Sequence, residues 1–426
     1  MSVPIERRDS QWSVTDALQL SWPRVADALV SREARSRVAD ACRWLPAALT
    51  TGVYLECRLG RTAEAGRRAD VIIHVTPDDA EIIAGTNPVL ALPPALLDHH
   101  AWRLLQRFCR AWRAPDTRWR PLVEHLWLEF DIAPPITAAT EPTVGHAIAP
   151  LINVAADTGA HSMRESFGIR HPVPSLFVGL RPGLRARADA RPLARCIREI
   201  RTLLLNDGAS MAAPEPALQA ALQAAPPEAE VPYAGFMLAR QETACRLYLM
   251  HLRPDAWEVY LQLAGWPGAV GELADRFRPL IDPDDARRVS PIGMGHVDVG
   301  PYGVGARVGF EFTCVRRQQR HPDGPLARLL RRATEHALCT PAQARALRAW
   351  PGGQRAQWPQ QLWDSVVVRH VHCVKLVLDP GRRPEVKAYL LTRALPAGQT
   401  VHSDRQLYPV EPCLRTAPPG RAAALH

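Results

Sequence analysis

The chain has 426 residues, of which 47% are hydrophobic and 22% are charged, and this composition excludes an intrinsically disordered protein. It contains no run of about 18 apolar residues, which excludes a predicted membrane-spanning helix. The net charge of +9 is compatible with a phosphorylated or polyanionic ligand, but the arginines are spread along the chain and define no single basic patch.

The cysteines indicate a reducing compartment. There are nine, an odd number; none forms a C-x-x-C pair and many lie in apolar segments. Such cysteines are typical of buried free thiols. Together with the charged residues near the N-terminus and the lack of an apolar signal-peptide core, they predict a cytoplasmic protein.

The first half of the chain alternates helical segments with pairs of strand-like runs. Apolar spacing predicts helix over 12–44 and 97–112. Alternation rich in Val and Leu predicts strand pairs over 53–59 with 71–76, and over 126–132 with 175–180. A long insertion separates the strands of the second pair and includes a predicted helix over 148–167.

The second half repeats the pattern. A proline in the first turn marks a helix over 192–205, and an Ala- and Pro-rich linker follows over 209–232. The third strand pair is predicted over 236–252, with a break, and 257–263, joined by a turn at Arg253-Pro254-Asp255. The remaining predicted elements are a helix over 271–280, strands over 295–299 and 306–315, helices within 326–350, and a last strand pair over 366–378 and 385–392.

These repeats predict an α+β fold of about ten antiparallel strands in five helix-flanked hairpins. Each hairpin has an apolar face and a face that carries charged or tyrosine side chains. Closure into a barrel ringed by helices would enclose the polar face as a ligand chamber and remove the edge strands. Residues 1–395 would then form one barrel domain and residues 396–426 a Pro-rich irregular tail. The alternatives are an open α+β sheet, or two smaller domains divided near residues 209–232.

The last hairpin contains the only lysines of the chain, Lys375 and Lys387. Lysine provides a compact ammonium where arginine provides a planar fork, so its retention here suggests a specific role. A turn centred on Gly381 predicts the register of the hairpin and one shared face. The facing pairs on that face are Lys375 with Lys387, Cys373 with Tyr389, and Val377 with Glu385.

Two ammonium groups that face each other repel unless an anion lies between them or solvent surrounds them. A phosphate-bearing ligand and an open, solvated sheet face are both compatible with the pattern. His370 and His372 are predicted on the opposite face, where they are interpreted as structural or surface histidines rather than metal ligands.

The common catalytic motifs are missing. There is no Walker A run, no G-x-G-x-x-G after a strand, no H-E-x-x-H and no G-x-S-x-G, and no cofactor or metal site is predicted. Acidic residues instead interrupt apolar strands, namely Glu129, Asp131, Asp298 and Glu311. A buried carboxylate needs a partner, so these residues predict either ion pairs with arginine or contacts with a substrate. His296 and Asp298 share a strand face and form a candidate dyad.

Three strand phrases carry a resemblance to a known family. They are Arg246-Leu247-Tyr248, Val374-Lys375-Leu376 and Val386-Lys387-Ala388-Tyr389. Set in five helix–strand–strand units, they resemble the aromatic prenyltransferases of the ααββ-barrel type, and the resemblance covers the strand order across most of the chain. It implies a barrel that encloses an allylic diphosphate, with Lys, Arg and Tyr on alternating strand positions and an acidic residue that orients the aromatic acceptor.

The resemblance also implies a set of site residues. The implied residues are Lys375, Lys387 and Arg246 for the diphosphate; Tyr248, Tyr260 and Tyr389 for shielding the allylic cation; and Glu129 as the catalytic carboxylate. The fourth strand pair departs from the pattern, because it lacks a Lys or Tyr at the equivalent alternation and offers only Arg307.

The leading hypothesis is therefore a transferase that moves a prenyl group from an allylic diphosphate to an aromatic or peptide acceptor. The alternative is a non-catalytic binding or accessory protein of a biosynthetic pathway, built on the same scaffold. A nucleic-acid binder is a third hypothesis, because arginines are concentrated over 181–201 and 316–320. No nucleic-acid-binding module is recognisable, so these runs are interpreted as solvated surface and nucleic acid is not an expected partner.

Overall fold

The structure is a computed structural model. It describes residues 12–61, 65–66, 68–132, 171–182, 190–240, 244–277, 279–281, 292–314, 318–359, 365–396 and 410–411, except for 206–214. The predicted helix over 148–167 and the arginines at 316–317 lie outside the described residues.

The described strands are numbered in chain order. They are β1 (Gly52–Arg58), β2 (Ala69–Val75), β3 (Val123–Phe130), β4 (Pro174–Leu180), β5 (Tyr233–Phe236), β6 (Cys245–Met250), β7 (Ile292–Gly300), β8 (Gly303–Thr313), β9 (Gly352–Arg355), β10 (Ser365–Leu378), β11 (Glu385–Pro396) and β12 (Val410–Glu411). Strands β1 to β8, β10 and β11 pair with their neighbours in that order, and β11 also pairs with β1. Ten antiparallel strands therefore form a closed barrel, as the sequence predicts, and the open-sheet alternative is wrong.

The described α-helices precede the strand pairs along the chain. They are α1 (Val14–Gln19), α2 (Arg32–Cys42), α3 (Ala80–Ala84), α4 (Pro94–Leu97), α5 (His100–Arg113), α6 (Ala190–Leu205), α7 (Glu215–Ala224), α8 (Pro254–Leu263), α9 (Leu273–Phe277), α10 (Pro325–Glu335) and α11 (Pro341–Ala349). Helix groups separate β2 from β3, β4 from β5, β6 from β7, and β8 from β9 and β10. The predicted repeat of helices followed by a hairpin is confirmed.

The main hydrophobic core lies between the barrel and its helices. Helix α5 shows the pattern: Trp102, Leu105 and Phe108 recur at helical spacing, are fully buried, and join the same core as outward-facing strand residues such as Leu128 and Leu376. Burying a side chain of this size contributes about 1.5–3 kcal/mol relative to leaving it exposed. Because the helices cover the apolar faces of the strands, the alternate strand positions are directed into the barrel lumen.

The lysine hairpin adopts the predicted register. Gly381 has a φ of +75°, a left-handed conformation that glycine adopts without steric penalty, and the turn around it fixes the pairing of β10 with β11. The observed pairs include Lys375 with Lys387, Cys373 with Tyr389, and Val377 with Glu385. Between the turn and Cys373, the alternate residues of the hairpin, such as Val374 and Ala388, lie in the outer core, so the predicted assignment of the two faces is confirmed there.

One predicted strand is wrong. Residues 257–263 form the greater part of helix α8 rather than the second strand of the third hairpin, which consists of β5 and β6. Pro254 occupies the first turn of this helix and Asp255 lies in the same turn, and both favour a helix start. The buried residues Trp257, Tyr260 and Leu261 follow helical spacing.

Other parts of the chain differ from prediction in detail. The helical segment predicted over 12–44 is two α-helices separated by a 3₁₀ turn at Trp22–Arg24, where Pro23 has no N–H to continue a helix. In the predicted tail, β12 pairs in parallel with β9, and β9 pairs antiparallel with residues 366–369 of β10. The domain limits at residues 395 and 396 stay a prediction.

Eight cysteines are described, and all eight are free and buried, as predicted; Cys413 lies outside the described residues. Among the described helices, none combines the length and the apolar character needed to cross a membrane.

Candidate active site

The lumen of the barrel is divided into a charged half and an aromatic half. The charged half is a cavity of about 200 Å³ lined by Glu56, Arg58, Arg68, Glu129, Asp131, Arg246, His296, Arg307, Lys375, Val377, Lys387 and Tyr389. The aromatic half is a cavity of about 90 Å³ lined by Tyr54, Ile72, Trp127, Glu129, Phe177, Tyr233, Tyr248, Met294, Glu311, His372, Cys373 and Tyr389. Glu129 and Tyr389 line both halves and therefore mark the boundary between them.

The two lysines are buried inside the barrel, with 4% of Lys375 and 8% of Lys387 exposed. A solvated sheet face is therefore excluded. Each ammonium faces a carboxylate: Lys375 lies 3.2 Å from Glu311, and Lys387 donates a hydrogen bond to Glu56. The hydroxyl of Tyr389 donates to the other oxygen of Glu56. Protein carboxylates thus provide the negative charge that two facing ammonium groups require.

The arginines of the charged half are paired in the same way. Arg246 on β6 forms a bidentate ion pair with Asp298 on β7, with distances of 2.6 and 2.9 Å. Glu385 is shared between Arg58, at 2.9 Å, and Arg307, at 3.0 Å. The arginine–aspartate pair links neighbouring strands, which holds the guanidinium in one orientation on the lumen wall.

Strands β1, β2 and β3 carry a group of acidic side chains. Glu56 pairs directly with Asp70 across β1 and β2, and Arg68 lies 3.4 Å from Asp70 and 3.7 Å from Asp131. Burial and then the neighbouring charge of Glu56 raise the pKa of Asp70 to about 7. Burial alone would raise the pKa of Glu56 too, but the charges of Lys387 and Lys375 lower it to about 2.

The charged half has almost no excess charge among the described residues. Its six cations are Arg58, Arg68, Arg246, Arg307, Lys375 and Lys387. The seven carboxylates on or beside them are Glu56, Asp70, Glu129, Asp131, Asp298, Glu311 and Glu385. An anionic ligand must therefore displace carboxylates from cations that are already paired, or its binding must be accompanied by protonation of a carboxylate or of the ligand.

The aromatic half is built from rings in edge-to-face contact. Tyr54 lies 5.0 Å from Trp127, and Phe177 lies 5.8 Å from Tyr248, measured between ring centroids. Gly235 makes this packing possible, because a Cβ at that position would lie 2.6 Å from the ring of Phe177. The rings leave a small apolar cavity next to the charged half.

The boundary between the two halves already places a cation against aromatic rings. The ammonium of Lys375 lies 5.4 Å from the ring centroid of Tyr248 and 5.7 Å from that of Tyr389. Both distances are within the range of a cation–π contact. These two tyrosine faces can therefore stabilise positive charge at the boundary.

The chain resembles solved structures but matches no family model and no curated sequence. One similar structure is the crystal structure of the prenyltransferase PriB in its apo form, with 18% identity, a TM-score of 0.47, and coverage of 88% of this chain and 94% of that chain. Another is 5-dimethylallyltryptophan synthase from Streptomyces coelicolor, with 16% identity, a TM-score of 0.48, and coverage of 89% and 98%. A third is a 6-dimethylallyl tryptophan synthase, with 14% identity, a TM-score of 0.46, and coverage of 89% and 96%.

Most of the residues predicted for the site come together in the lumen. Lys375, Lys387 and Arg246 line the charged half, Tyr248 lines the aromatic half, and Tyr389 and Glu129 lie at the boundary. Tyr260 does not join them. It lies on α8, fully buried in the outer core with its ring 5.7 Å from Trp257, because the segment that carries it is a helix.

The structure also corrects the predicted positions of two histidines. A β-bulge between Val371 and Cys373 shifts the alternation of β10, so that His372 lines the aromatic half with its ring 5.2 Å from Tyr54. The prediction that His370 and His372 lie on the face opposite the lysines is wrong, since His370 pairs with Leu391, whose side chain packs with Tyr54 and Tyr389. The predicted dyad of His296 and Asp298 does not form either, because the Asp298 carboxylate is engaged by Arg246.

Sequence reasoning missed several lumen residues, in particular Glu56 and Asp70. Both interrupt apolar strands in the same way as Glu129, so the signal was present in the runs over 53–59 and 69–75. Their partners could not be predicted in the same way. Glu56 and Lys387 are 331 positions apart, and only the pairing of β1 with β11 brings them together.

Proposed function

We propose that the chain is a transferase that moves a prenyl group from an allylic diphosphate to an aromatic or peptide acceptor inside its barrel. The observation that supports this most is the division of one closed lumen into a half lined by cations and a half lined by aromatic rings. An allylic diphosphate has the same two parts, a polyanion and an apolar chain. The bond that breaks, between C1 and the diphosphate oxygen, would lie at the boundary marked by Tyr389 and Glu129.

Lys375, Lys387 and Arg246 bind the diphosphate in this proposal, with Arg58, Arg68 and Arg307 around them. All six line the charged half, and the two lysines and Arg246 lie on the barrel strands β10, β11 and β6. Phosphate oxygens would replace part of the carboxylate contacts that these cations make. Positive charge fixed around the leaving group stabilises the charge that develops on it as the C–O bond breaks.

Tyr248 and Tyr389 would stabilise the allylic cation. Their faces are near the diphosphate-binding cations, and the position of the Lys375 ammonium over both rings supports their capacity to hold positive charge. If the Lys375 ammonium moves toward the diphosphate, the two tyrosine faces become available to the carbocation. Burial inside the barrel keeps water away from a cation that would otherwise react with it.

Glu129 is proposed to accept a hydrogen bond from an N–H or O–H of the acceptor. It is 7% exposed and borders both halves, so an aromatic ring in contact with Trp127 and Tyr233 could reach it. Such a contact would orient the acceptor toward C1 of the donor, and correct orientation accounts for much of the rate of a reaction between two bound molecules.

A non-catalytic binding protein is the second candidate, and the charge balance of the lumen favours it. Cations already paired with carboxylates stabilise the charge that develops on a leaving diphosphate less than unpaired cations would, and this weakens catalysis more than binding. Ionisation of the donor distinguishes the two candidates. An enzyme would convert dimethylallyl diphosphate to the alcohol, or scramble its bridging oxygen label, even without an acceptor, whereas a binding protein would do neither.

The direct test is a thermal-shift titration with dimethylallyl diphosphate, geranyl diphosphate and inorganic pyrophosphate. We expect stabilisation of the wild type that grows with ligand concentration and is lost in Lys387→Ala. Arg383→Ala is the matched control, since it removes a cation from the exposed turn of the same hairpin. Equal shifts in wild type and Lys387→Ala would contradict the proposed diphosphate site. Product formation with a panel of indoles and phenols, followed by mass spectrometry, then tests transfer.

A further inference from the structure

We propose that His296 is the base that removes the ring proton from the acceptor after its carbon has bonded to the prenyl group. This inference rests on the proposed function and adds a residue to it. Prenylation of an aromatic carbon produces a cationic ring that still carries the hydrogen of the attacked carbon. A second group must accept that hydrogen as a proton before the ring becomes aromatic again.

His296 is in the place where such a base is needed. It lies on β7, is 2% exposed, and lines the charged half of the lumen. Its ring lies 5.2 Å from that of Tyr248, which lines the aromatic half. The imidazole is thus next to the boundary where C1 and the acceptor carbon meet. Glu129 is on β3, four strands away around the ten-stranded ring, so the two groups approach the acceptor from different sides.

The neighbouring strand provides space for this imidazole. Gly309 on β8 is the direct partner of His296, and a Cβ there would lie 2.1 Å from Cε1, 2.7 Å from Nδ1 and 2.9 Å from Nε2 of the ring. Any other residue at 309 would displace the imidazole. Gly309 does not have a positive φ, so its backbone conformation does not account for the glycine. The glycine is instead explained by the space that the side chain of His296 needs.

The imidazole also has an unused proton-accepting atom. Within the described part of the chain, Nδ1 of His296 is buried and has no hydrogen-bond partner. The neighbouring carboxylates are occupied, since Glu311 faces Lys375 and Asp298 binds Arg246. Buried polar atoms are nearly always paired in folded proteins, so an unpaired one next to a cavity is available for contact with a ligand or with water.

The charge around His296 suits this role. Burial lowers the pKa of the imidazole well below its usual range, and the positive charges of Lys375, Arg246 and Arg307 lower it further, so the ring is neutral and able to accept a proton. A bound diphosphate would offset those positive charges. The imidazole would therefore become more basic in the complex, when the proton has to be accepted.

The proposed reaction transfers one prenyl group and one proton. The C1–O bond of the donor breaks and its electron pair leaves with the diphosphate. A π-electron pair of the acceptor ring forms the new C–C bond to C1, which leaves the ring cationic. A nitrogen of His296 accepts the proton of the attacked carbon, and the C–H electron pair restores the aromatic ring. The imidazolium then passes its proton to the diphosphate, so the products are the prenylated ring and protonated diphosphate.

The test compares wild type with His296→Asn and His296→Ala, using dimethylallyl diphosphate and ring-deuterated indole, L-tryptophan and phenol. In the variants we expect kcat to fall by about 100-fold or more, with little change in KM for the donor. A primary isotope effect of the ring deuterium on kcat should appear or increase, because proton removal becomes rate-limiting. A purely structural role would not move this isotope effect. Oxygen scrambling in the donor should persist, because ionisation does not need the base.

A second variant and a binding measurement separate loss of the base from loss of folding. Gly309→Ala, which displaces the imidazole without removing it, should reproduce the isotope effect of His296→Asn, and the thermal shift with pyrophosphate reports whether each variant is folded and binds. Unchanged kcat or an unchanged isotope effect in folded variants overturns the role of His296 alone. No transfer and no donor ionisation by the wild type would overturn the proposed function together with it.

Discussion

The two halves of the lumen are stabilised by different interactions. In the charged half, ion pairs such as Lys387 with Glu56 and Arg246 with Asp298 connect neighbouring strands. In the aromatic half, rings such as Tyr54 and Trp127 pack edge to face. A ligand in the first half has to exchange partners with the protein, whereas a ligand in the second half has only to fill space. The two ends of a bound donor should therefore respond to different kinds of mutation.

The two halves should also differ in how mutations affect the stability of the protein itself. Removing ions from water is costly, and a buried pair recovers that cost only when both partners are present with good geometry. The charged half is therefore sensitive to the loss of one partner and much less sensitive to the loss of both. The packed rings of the aromatic half carry no charge, so truncating one of them should lower the free energy of unfolding in proportion to the volume removed.

The largest effect is expected when one partner of a buried pair is removed. Lys387→Met should lower the free energy of unfolding by about 3–5 kcal/mol, since it leaves the Glu56 carboxylate buried opposite an apolar side chain. Glu56→Gln combined with Lys387→Met should recover most of that loss, because no unpaired charge remains and Tyr389 can still donate to the glutamine. Urea denaturation measures both.

The same pair of variants separates stability from binding. The double variant should fold almost as well as wild type and still show no thermal stabilisation by dimethylallyl diphosphate, because the ammonium is missing. A double variant that binds the donor normally would contradict the assignment of Lys387 to the diphosphate site. A single variant as stable as wild type would contradict the importance of pairing in the charged half.

The next effect is a pair of pH dependences of opposite sign, one from Asp70 beside Arg68 of the charged half and one from His74 beside Trp127 of the aromatic half. Because the pKa of Asp70 is raised to about 7, the folded protein holds this proton more strongly than the unfolded chain, so this residue makes stability fall as pH rises from about 4 to 7. The pKa of His74, whose ring lies 4.6 Å from Trp127, is lowered to about 4. The unfolded chain then binds more protons, and this residue makes stability rise between pH 4 and about 6.5.

Two variants isolate these contributions. Relative to wild type, Asp70→Asn should gain stability steadily from pH 5 to pH 7, and its amide oxygen can still accept the 2.8 Å hydrogen bond from the N–H of Ile132. His74→Gln should show the opposite trend over the lower part of that range. Urea denaturation at several pH values provides both comparisons. Parallel pH curves for Asp70→Asn and wild type would mean that this carboxyl is ionised throughout.

A smaller effect is expected from truncation in the aromatic half. Met294 lines the 90 Å³ cavity, and Met294→Ala should enlarge it enough to favour a longer donor. A difference of a few methylene groups in an apolar pocket changes the ratio of kcat/KM values about tenfold or more. We expect turnover of geranyl diphosphate to increase relative to dimethylallyl diphosphate. Leu263→Ala, which truncates an exposed apolar side chain on α8, should leave the ratio unchanged.

The sequence predicts the parts of this lumen that depend on local pattern. The turn at Gly381 determines the register of the lysine hairpin, and strand alternation then places Lys375, Lys387 and Tyr389 on one face. The closed ring is the leading prediction, since closure removes the edges of five hairpins that each have one polar face, but the pattern alone also allows an open sheet. Local rules are sufficient here because the partners are close in the chain.

Prediction failed where distant contacts or irregular backbone decide the outcome. The pairing of Glu56 with Lys387 depends on closure of the ring between β1 and β11. The position of His372 depends on a bulge that alternation does not reveal. Residues 257–263 contain apolar side chains at spacings that fit a strand or a helix. Pro254 and Asp255 in the first turn favour the helix.

The smallest effect is expected at Tyr260, where it tests the assignment of residues 257–263 to a helix. Tyr260 was predicted to shield the allylic cation, but it lies on α8 outside the barrel, and its buried hydroxyl has no hydrogen-bond partner among the described residues. Tyr260→Phe should therefore leave transfer and diphosphate binding unchanged. It should stabilise the fold slightly, by about 1 kcal/mol, because removing a buried unpaired hydroxyl relieves a desolvation penalty. Tyr389→Phe is the matched comparison, since the same atom is removed from a tyrosine at the boundary that donates to Glu56. Equal loss of transfer in both variants would return Tyr260 to the active site and contradict the position of α8.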